Sequence, residues 1–124
     1  MLRTRGLRRQ ASSSAAVPRM FVSNTSTDDW QSDPDVPGSQ MHELVHADGV
    51  WAGLTRFTSV DGPVPWKPAQ RAVALILEAS VRIEIADGDT LDLGVGDLFS
   101  LPPGVRTTWH ITTPFKEMWV LASD

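Results

Sequence analysis

Residues 77–104 read LEASVRIEIADGDTLDLGVGDLFSLPPG, and this stretch decides the fold. Val81 to Ile85 alternates strictly, with Val81, Ile83 and Ile85 on one face and Arg82 and Glu84 on the other. A period of two marks a strand with one buried face. Asp87-Gly88 follows as a hairpin signal, since both residue types tolerate the positive φ of a tight turn. Leu91 and Leu93, split by Asp92, form the returning strand. Leu98 to Leu101 is a further short run, ended by Pro102-Pro103-Gly104.

The same punctuation extends outward. Upstream, Val50 to Thr58 is strand-like and is broken by Asp61-Gly62-Pro63 and Pro65. Downstream come Thr107 to Ile111, a break at Pro114, and Glu117 to Leu121. No window of a dozen residues has helical apolar spacing, and no internal repeat is visible. Short strands with turn signals between them predict an all-β sandwich or barrel. Ala72 to Leu77 (AVALIL) is apolar at every position, so both of its faces need cover. One face meets the core. The other needs a second sheet, an arm of the chain or another subunit, and a homodimer is the expected arrangement.

The chain has 124 residues and no cysteine. That length suits one domain. The missing cysteines exclude disulfides, thiolate metal sites and a cysteine nucleophile. The net charge of -4 is unevenly distributed. Five arginines and no acid fall in residues 1–22, while 15 acids and 6 bases follow. An acidic body argues against nucleic acid, which is bound by clustered Lys and Arg. No apolar run approaches the ~20 residues of a membrane-spanning helix. Residues 1–16, MLRTRGLRRQASSSAA, have the Arg- and Ser-rich, acid-free composition of a mitochondrial transit peptide. The plainer reading, which is preferred, is an uninformative tail, or leader upstream of a start at Met20. A cytoplasmic location is expected, or a mitochondrial one if residues 1–19 are a transit peptide. Residues 23–40 are dense in Ser, Asp, Pro and Gly and read as a loop-like arm with Trp30 as its anchor. Residues 1–40 are therefore assigned to a flexible tail and arm, and 41–124 to the barrel.

His42-Glu43-Leu44-Val45-His46 matches the H-E-x-x-H pattern of zinc peptidases. That chemistry needs a helix, which brings histidines four apart onto one face to share an ion. Gly38 and Asp48-Gly49 leave little room for one. On a strand, residues four apart lie roughly 13 Å from each other. The third ligand position of the longer pattern is Ala52. The segment therefore reads as a polar strand or turn with two surface histidines, with the zinc peptidase as a third functional reading.

Gly96, Pro102 and Gly104 match the Gly-x5-Pro-x-Gly second motif of the cupins, and Glu78-Ala79 stands where many of them have Glu-Gly. With Trp109 after the Pro-x-Gly turn and the strand from Lys116 to Leu121, the chain resembles the small single-domain cupins of the ureidoglycine aminohydrolase and ethanolamine-utilisation group. The resemblance implies an RmlC-like jelly-roll barrel, the double-stranded β-helix, with an arm-like or disordered N-terminal segment. It also implies where a divalent ion would be held. The ligand positions fall at Thr107, at Ala72, and at Trp66 and Pro68 (or Pro65 and Lys67). None of these is a good ligand, so no metal or other cofactor is expected.

If the lost ligand positions face the interior, so do Trp66, Gln70, Ala72, Ala74, Thr107 and Trp109. Trp66, Gln70, Thr107 and Trp109 are the expected ligand-binding residues. The same indoles could equally be plain core. Glu117 is a candidate acid or base if it faces inward; the phase of its strand is open. The expected function is binding of a small polar or acidic metabolite. The alternative is an enzyme acting on a small metabolite, a ureidoglycine aminohydrolase-like hydrolase or an isomerase.

Overall fold

A computed structural model describes residues 19–122; the arginine-rich residues 1–18, and with them most of the transit-peptide reading, lie outside it. Every regular element among the described residues is a strand: β1 (Gln31–Ser32), β2 (Ser39–Ala47), β3 (Val50–Phe57), β4 (Val64–Trp66), β5 (Arg71–Ile85), β6 (Thr90–Gly94), β7 (Leu98–Leu101) and β8 (Thr107–Ala122). All neighbours are antiparallel, in the order β1-β2-β3-β8-β5-β6, with β4 on β8 and β7 on β5. No described helix is long and apolar enough to cross a membrane.

The architecture turns on β5 and β8, which pair along nearly their whole lengths. Their ladder shifts register between Ile76 and Glu78 and again between Glu78 and Ser80. Beyond the shifts, residues 80–85 of β5 lie between β6 and the 107–112 half of β8, which β4 flanks. Before them, residues 71–78 lie beside β7 and the 116–122 half of β8, which β3 flanks. Both strands therefore pass from one layer to the other at this corner, the usual way a sandwich closes on itself. Phe57, Ala72, Ile76 and Phe115 of one layer share a single buried cluster with Val81, Ile83 and Trp109 of the other. Each such large apolar side chain contributes about 1.5–3 kcal/mol on burial. The fold is the expected all-β jelly roll.

Two sequence expectations are corrected here. Ala72–Leu77 and Val81–Ile85 are one bent strand, and Pro114 does not end a strand. Its missing N–H falls in the gap of the β5–β8 ladder, between the Ser80–Thr112 and Glu78–Lys116 pairs, where no ladder bond is lost. The turns otherwise stand as read. Asp87 takes φ 60° in the β5–β6 hairpin. Gly96 (φ 90°) and Gly104 (φ 80°) adopt left-handed backbone that favours glycine. Their N–H groups donate to the carbonyls of Ile76 (2.9 Å) and Pro68 (2.7 Å), which pins both loops to β5 and its approach.

The segment read as a loop-like arm contributes β1 and the first residues of β2, and it is docked. Trp30 lies under the Arg56 guanidinium at 4.4 Å and beside Lys116 and the His42 ring. His42 donates from Nδ1 to the Asp29 carbonyl (2.8 Å), and its Nε2 lies 2.7 Å from Ser23 Oγ. Lys116 donates to the Thr25 carbonyl (2.7 Å). Residues 21–25 run alongside Ala52, Leu54 and Met118, so the chain itself covers part of the outward apolar face. Val73, Leu98 and Met118 on that face stay exposed.

Ala79 occupies the corner at φ 62°, a conformation that costs an alanine about 1–2 kcal/mol. Glycine removes that cost but loses roughly 0.4–1 kcal/mol through the freer unfolded chain. Ala79→Gly should therefore stabilise the protein, by up to about 1.5 kcal/mol, seen as a rise in Tm of a few degrees in calorimetry. A lower Tm would show that the corner is unstrained.

Candidate functional site

Alternation along β8 is unbroken through the corner, so Thr107, Trp109, Ile111, Phe115, Glu117, Trp119 and Leu121 all project inward. They meet Trp51, Thr55 and Phe57 of β3, Trp66 of β4, Ala72 and Ala74 of β5 and Phe99 of β7. Between them lies a cavity of about 150 Å³, with Asp33, Asp35 and Val36 of the β1–β2 connection at its edge. The small side chains of Ala72 and Ala74 leave this space open between layers.

The tryptophans are fixed by their polar ends. Trp109 donates from Nε1 to Thr107 Oγ1 (2.9 Å), and Thr107 donates to the Trp66 carbonyl (2.6 Å). Trp119 donates to Thr55 Oγ1 (2.8 Å), and Trp51 to Glu43 Oε1 (2.9 Å). Trp66 and Trp109 meet edge to face at 5.7 Å, and Trp51 and Trp119 at 5.5 Å. Such contacts hold aromatic rings in one geometry.

Glu117 is different. It is 8% exposed and stands between Thr55 and Ile76 in register. Its Oε1 is buried with no hydrogen-bond partner. Burial pushes its carboxyl up to about 8, since removal from water penalises the charged form. The group is therefore mostly protonated at neutral pH and can give or take a proton there. This settles the open phase of its strand: Glu117 faces the cavity. Lys116 points to the other side of the sheet and pairs with Glu78 at 3.0 Å.

Of the four expected ligand-binding residues, Trp66 and Trp109 line the cavity. Thr107 is buried behind them and its hydroxyl is committed to the two hydrogen bonds above, so it positions the indoles. Gln70 lies in the bend before β5, half exposed and outside the lining; the strand that would have carried its alternation starts only at Arg71. Trp51, Trp119 and the acidic edge were missed. Trp51 stands in a strand apolar on both faces, which hides its orientation. Trp119 was lost because Pro114 was taken to interrupt β8.

The H-E-x-x-H residues lie on β2, on a strand and not a helix. A bulge between Glu43 and Val45 turns the chain, so His42 pairs with Leu54 of the outer face while His46 pairs with Trp51 of the cavity face. His46 stacks on Trp51 at 4.5 Å, and Glu43 holds the Trp51 indole. Each residue thus has a structural role, and the two histidines cannot share an ion.

The donors also do not fit the divalent ion that the cupin resemblance implies. Its ligand positions carry an indole, prolines, a lysine, a methyl group and a committed hydroxyl, leaving Glu117 as the one carboxylate deep in the cavity. Among the described residues no three His, Cys, Asp or Glu side chains are grouped to hold a metal, whereas such sites take three or more ligands.

A family model, the EutQ-like cupin domain, matches residues 56–118. Three solved structures illustrate the shared fold. An RmlC-like cupin from Shewanella frigidimarina NCIMB 400 is 17% identical over 86% of this chain and 93% of that one, with a TM-score of 0.69. KdgF from Halomonas sp. is 17% identical over 86% and 96%, with a TM-score of 0.65. An ethanolamine utilisation protein Q from Salmonella typhimurium LT2 is 18% identical over 68% of each chain, with a TM-score of 0.59. No curated protein matches the sequence.

The raised carboxyl has a consequence for stability. The folded state binds the Glu117 proton more tightly than the unfolded chain, whose carboxyl titrates near 4.5. The contribution is therefore full below that value and is lost as pH rises towards about 8, on the order of 1 kcal/mol per pH unit. Glu117→Gln should flatten this slope. Denaturant unfolding of both proteins from mildly acidic to mildly alkaline pH measures it, and parallel curves would contradict the assignment.

Proposed function

The chain belongs to the EutQ-like cupin domain family, and on that premise we propose that it binds a small metabolite in the barrel cavity, against Glu117 and the tryptophan walls, without the divalent ion that many cupins carry. One observation carries this reading: the buried carboxyl of Glu117, its Oε1 without a hydrogen-bond partner, in the lining of a mostly apolar cavity. A polar group buried without a partner costs about 1–3 kcal/mol, and natural proteins retain such groups mainly at functional sites. A ligand supplying a hydrogen-bond donor would remove that cost. Mostly apolar walls with one orienting polar group are the usual composition of small-molecule sites.

An acidic metabolite suits this lining poorly, because among the described residues no Lys, Arg or His lines the cavity. A polar one remains apt. The second reading is catalytic: Glu117, titrating near neutrality, would act as the acid or base of a hydrolase or isomerase, the ureidoglycine aminohydrolase-like activity included. The inward, shifted carboxyl favours it. The absence from the cavity lining of a second titrating group beside Glu117 at depth favours binding. The proposed homodimer would cover Val73, Leu98 and Met118, which the docked arm leaves exposed.

Trp109 is 5% exposed and belongs to the core cluster as well as the cavity wall, so Trp109→Ala should cost about 3–5 kcal/mol and is a poor probe of binding. Ala74→Leu fills the cavity instead. A metabolite screen read by indole fluorescence and thermal shift should find ligands for the parent, unchanged by chelator. The same ligands should have no effect on the folded Ala74→Leu protein. A screen without hits, or hits abolished by chelator, would overturn the reading.

The outer face makes a separate prediction. Light scattering at micromolar concentration should show a dimer, and Leu75→Glu should yield monomer or aggregate. A monomeric parent would mean that the arm alone suffices.

A further inference from the structure

Granted that the cavity is the ligand site, we propose that its occupant is a small primary alkylammonium, its N–H groups donating to the Glu117 carboxylate and its hydrocarbon lying against Trp51, Trp66, Trp109 and Trp119. Three features select this chemistry. The first is the sign of the charge. Among the described residues, every ionisable one lining the cavity is an acid: Glu117 in its depth, Asp33 and Asp35 at its edge. The cations of the same strands face away. Arg56 and Lys116 lie against Trp30 on the outer face, and Lys116 is paired with Glu78.

The second is the character of the walls. Trp51, Trp109 and Trp119 have committed their indole N–H groups to Glu43, Thr107 and Thr55. What remains of these rings is hydrocarbon and π surface, which attracts cations and offers an anion nothing. The third is the unused acceptor. Glu117 Oε1 lacks a donor, and an ammonium brings both the donor and the opposite charge. The cavity of about 150 Å³ matches the volume known to hold benzene, which limits the occupant to about half a dozen heavy atoms.

A pH signature follows. An alkylammonium stays charged through neutrality, as a lysine does, whereas Glu117 must release its proton to pair with it. Burial holds that carboxyl near 8, so affinity should rise about tenfold per pH unit below this value and level off above it. The other titratable groups around the site are Asp33 and Asp35 at the edge, and Glu43 and His46, which bond and stack on Trp51. β3, β4, β5 and β7 present no titratable residue to Glu117 within the lining.

The test uses three probes with one hydrocarbon body: butylammonium, butanol and butyrate. Binding to the full chain is read by thermal shift and indole fluorescence between pH 6 and 9. The expected result is that butylammonium binds at least tenfold more tightly than butanol, and that butyrate does not bind. The preference should disappear in Glu117→Gln, which is isosteric with the protonated carboxyl and should fold. Equal or tighter binding of butanol or butyrate, or an unchanged preference in Glu117→Gln, would overturn the ammonium assignment while leaving the cavity a binding site. If none of the three binds at tens of millimolar but the metabolite screen yields cavity ligands, the assignment fails alone. If both fail, the cavity is not a ligand site.

Discussion

The pairing of β5 with β8 is the constraint on which the rest of the structure depends. Two strands of 15 and 16 residues stay hydrogen-bonded while both cross from one layer to the other. The crossing needs a place where the ladder can slip, and Glu78 to Ser80 opposite Thr113 and Pro114 provide it. Residues there are bulged, left-handed or without an N–H, all features that a straight ladder rejects. Because the slip leaves the inward set of β8 unchanged, one strand lines the cavity from Thr107 to Leu121. The site is thus a property of the corner: its two ends belong to different layers but to the same alternation.

That geometry explains how a buried carboxyl can persist. Glu117 stands in the middle of the most heavily paired region, with β3 on one side and β5 on the other. Its backbone is held in place independently of its side chain, so the protein bears the desolvation locally without losing the strand. The surrounding polar groups are arranged the opposite way. The hydroxyls of Thr107 and Thr55 and the carboxylate of Glu43 are each matched to an indole N–H, which fixes three of the walls. A site whose walls are fixed in this way around an unpartnered central group is pre-organised for an occupant.

Much of this was legible in the sequence because strand alternation and turn chemistry are local. Val81 to Ile85, the Asp87-Gly88 hairpin and the Gly96–Gly104 loop are each decided by residues within a few positions of one another. The corner was not legible, because proline normally ends a strand. Whether it can sit inside one depends on whether its partner strand slips opposite it, which is a long-range fact. Reading β8 as two pieces cost the phase of the second and hid Glu117 and Trp119. With the alternation of Thr107 and Trp109 carried through Pro114, odd-numbered positions would have placed both residues inward. The bulge in β2 had the reverse effect: simple alternation would set His42 and His46 on one face, and a single extra residue separates them. Gly53 shows why, since a Cβ there would overlap the His42 carbonyl, so the close approach at the bulge requires glycine.

The positions that the cupin resemblance assigns to metal ligands carry poor ligands, and Glu117 stands in the same cavity. A cupin that carries a divalent ion offers its ligand a positive centre surrounded by histidines, and so favours anions and lone pairs. Here the corresponding positions are Thr107, Ala72, and Trp66 and Pro68 (or Pro65 and Lys67), and those of them that line the cavity, Trp66 and Ala72, bring no charge. The charge that remains comes from β8, beyond the corner, and it is negative or neutral according to pH. Among the described residues, the ionisable groups lining this cavity are therefore all acids. Fold and ligand chemistry are separable because the strand pairing is fixed by backbone and glycine geometry, whereas the field inside the barrel is set by a few inward side chains. Whatever enters this cavity must answer to a carboxyl and four indoles.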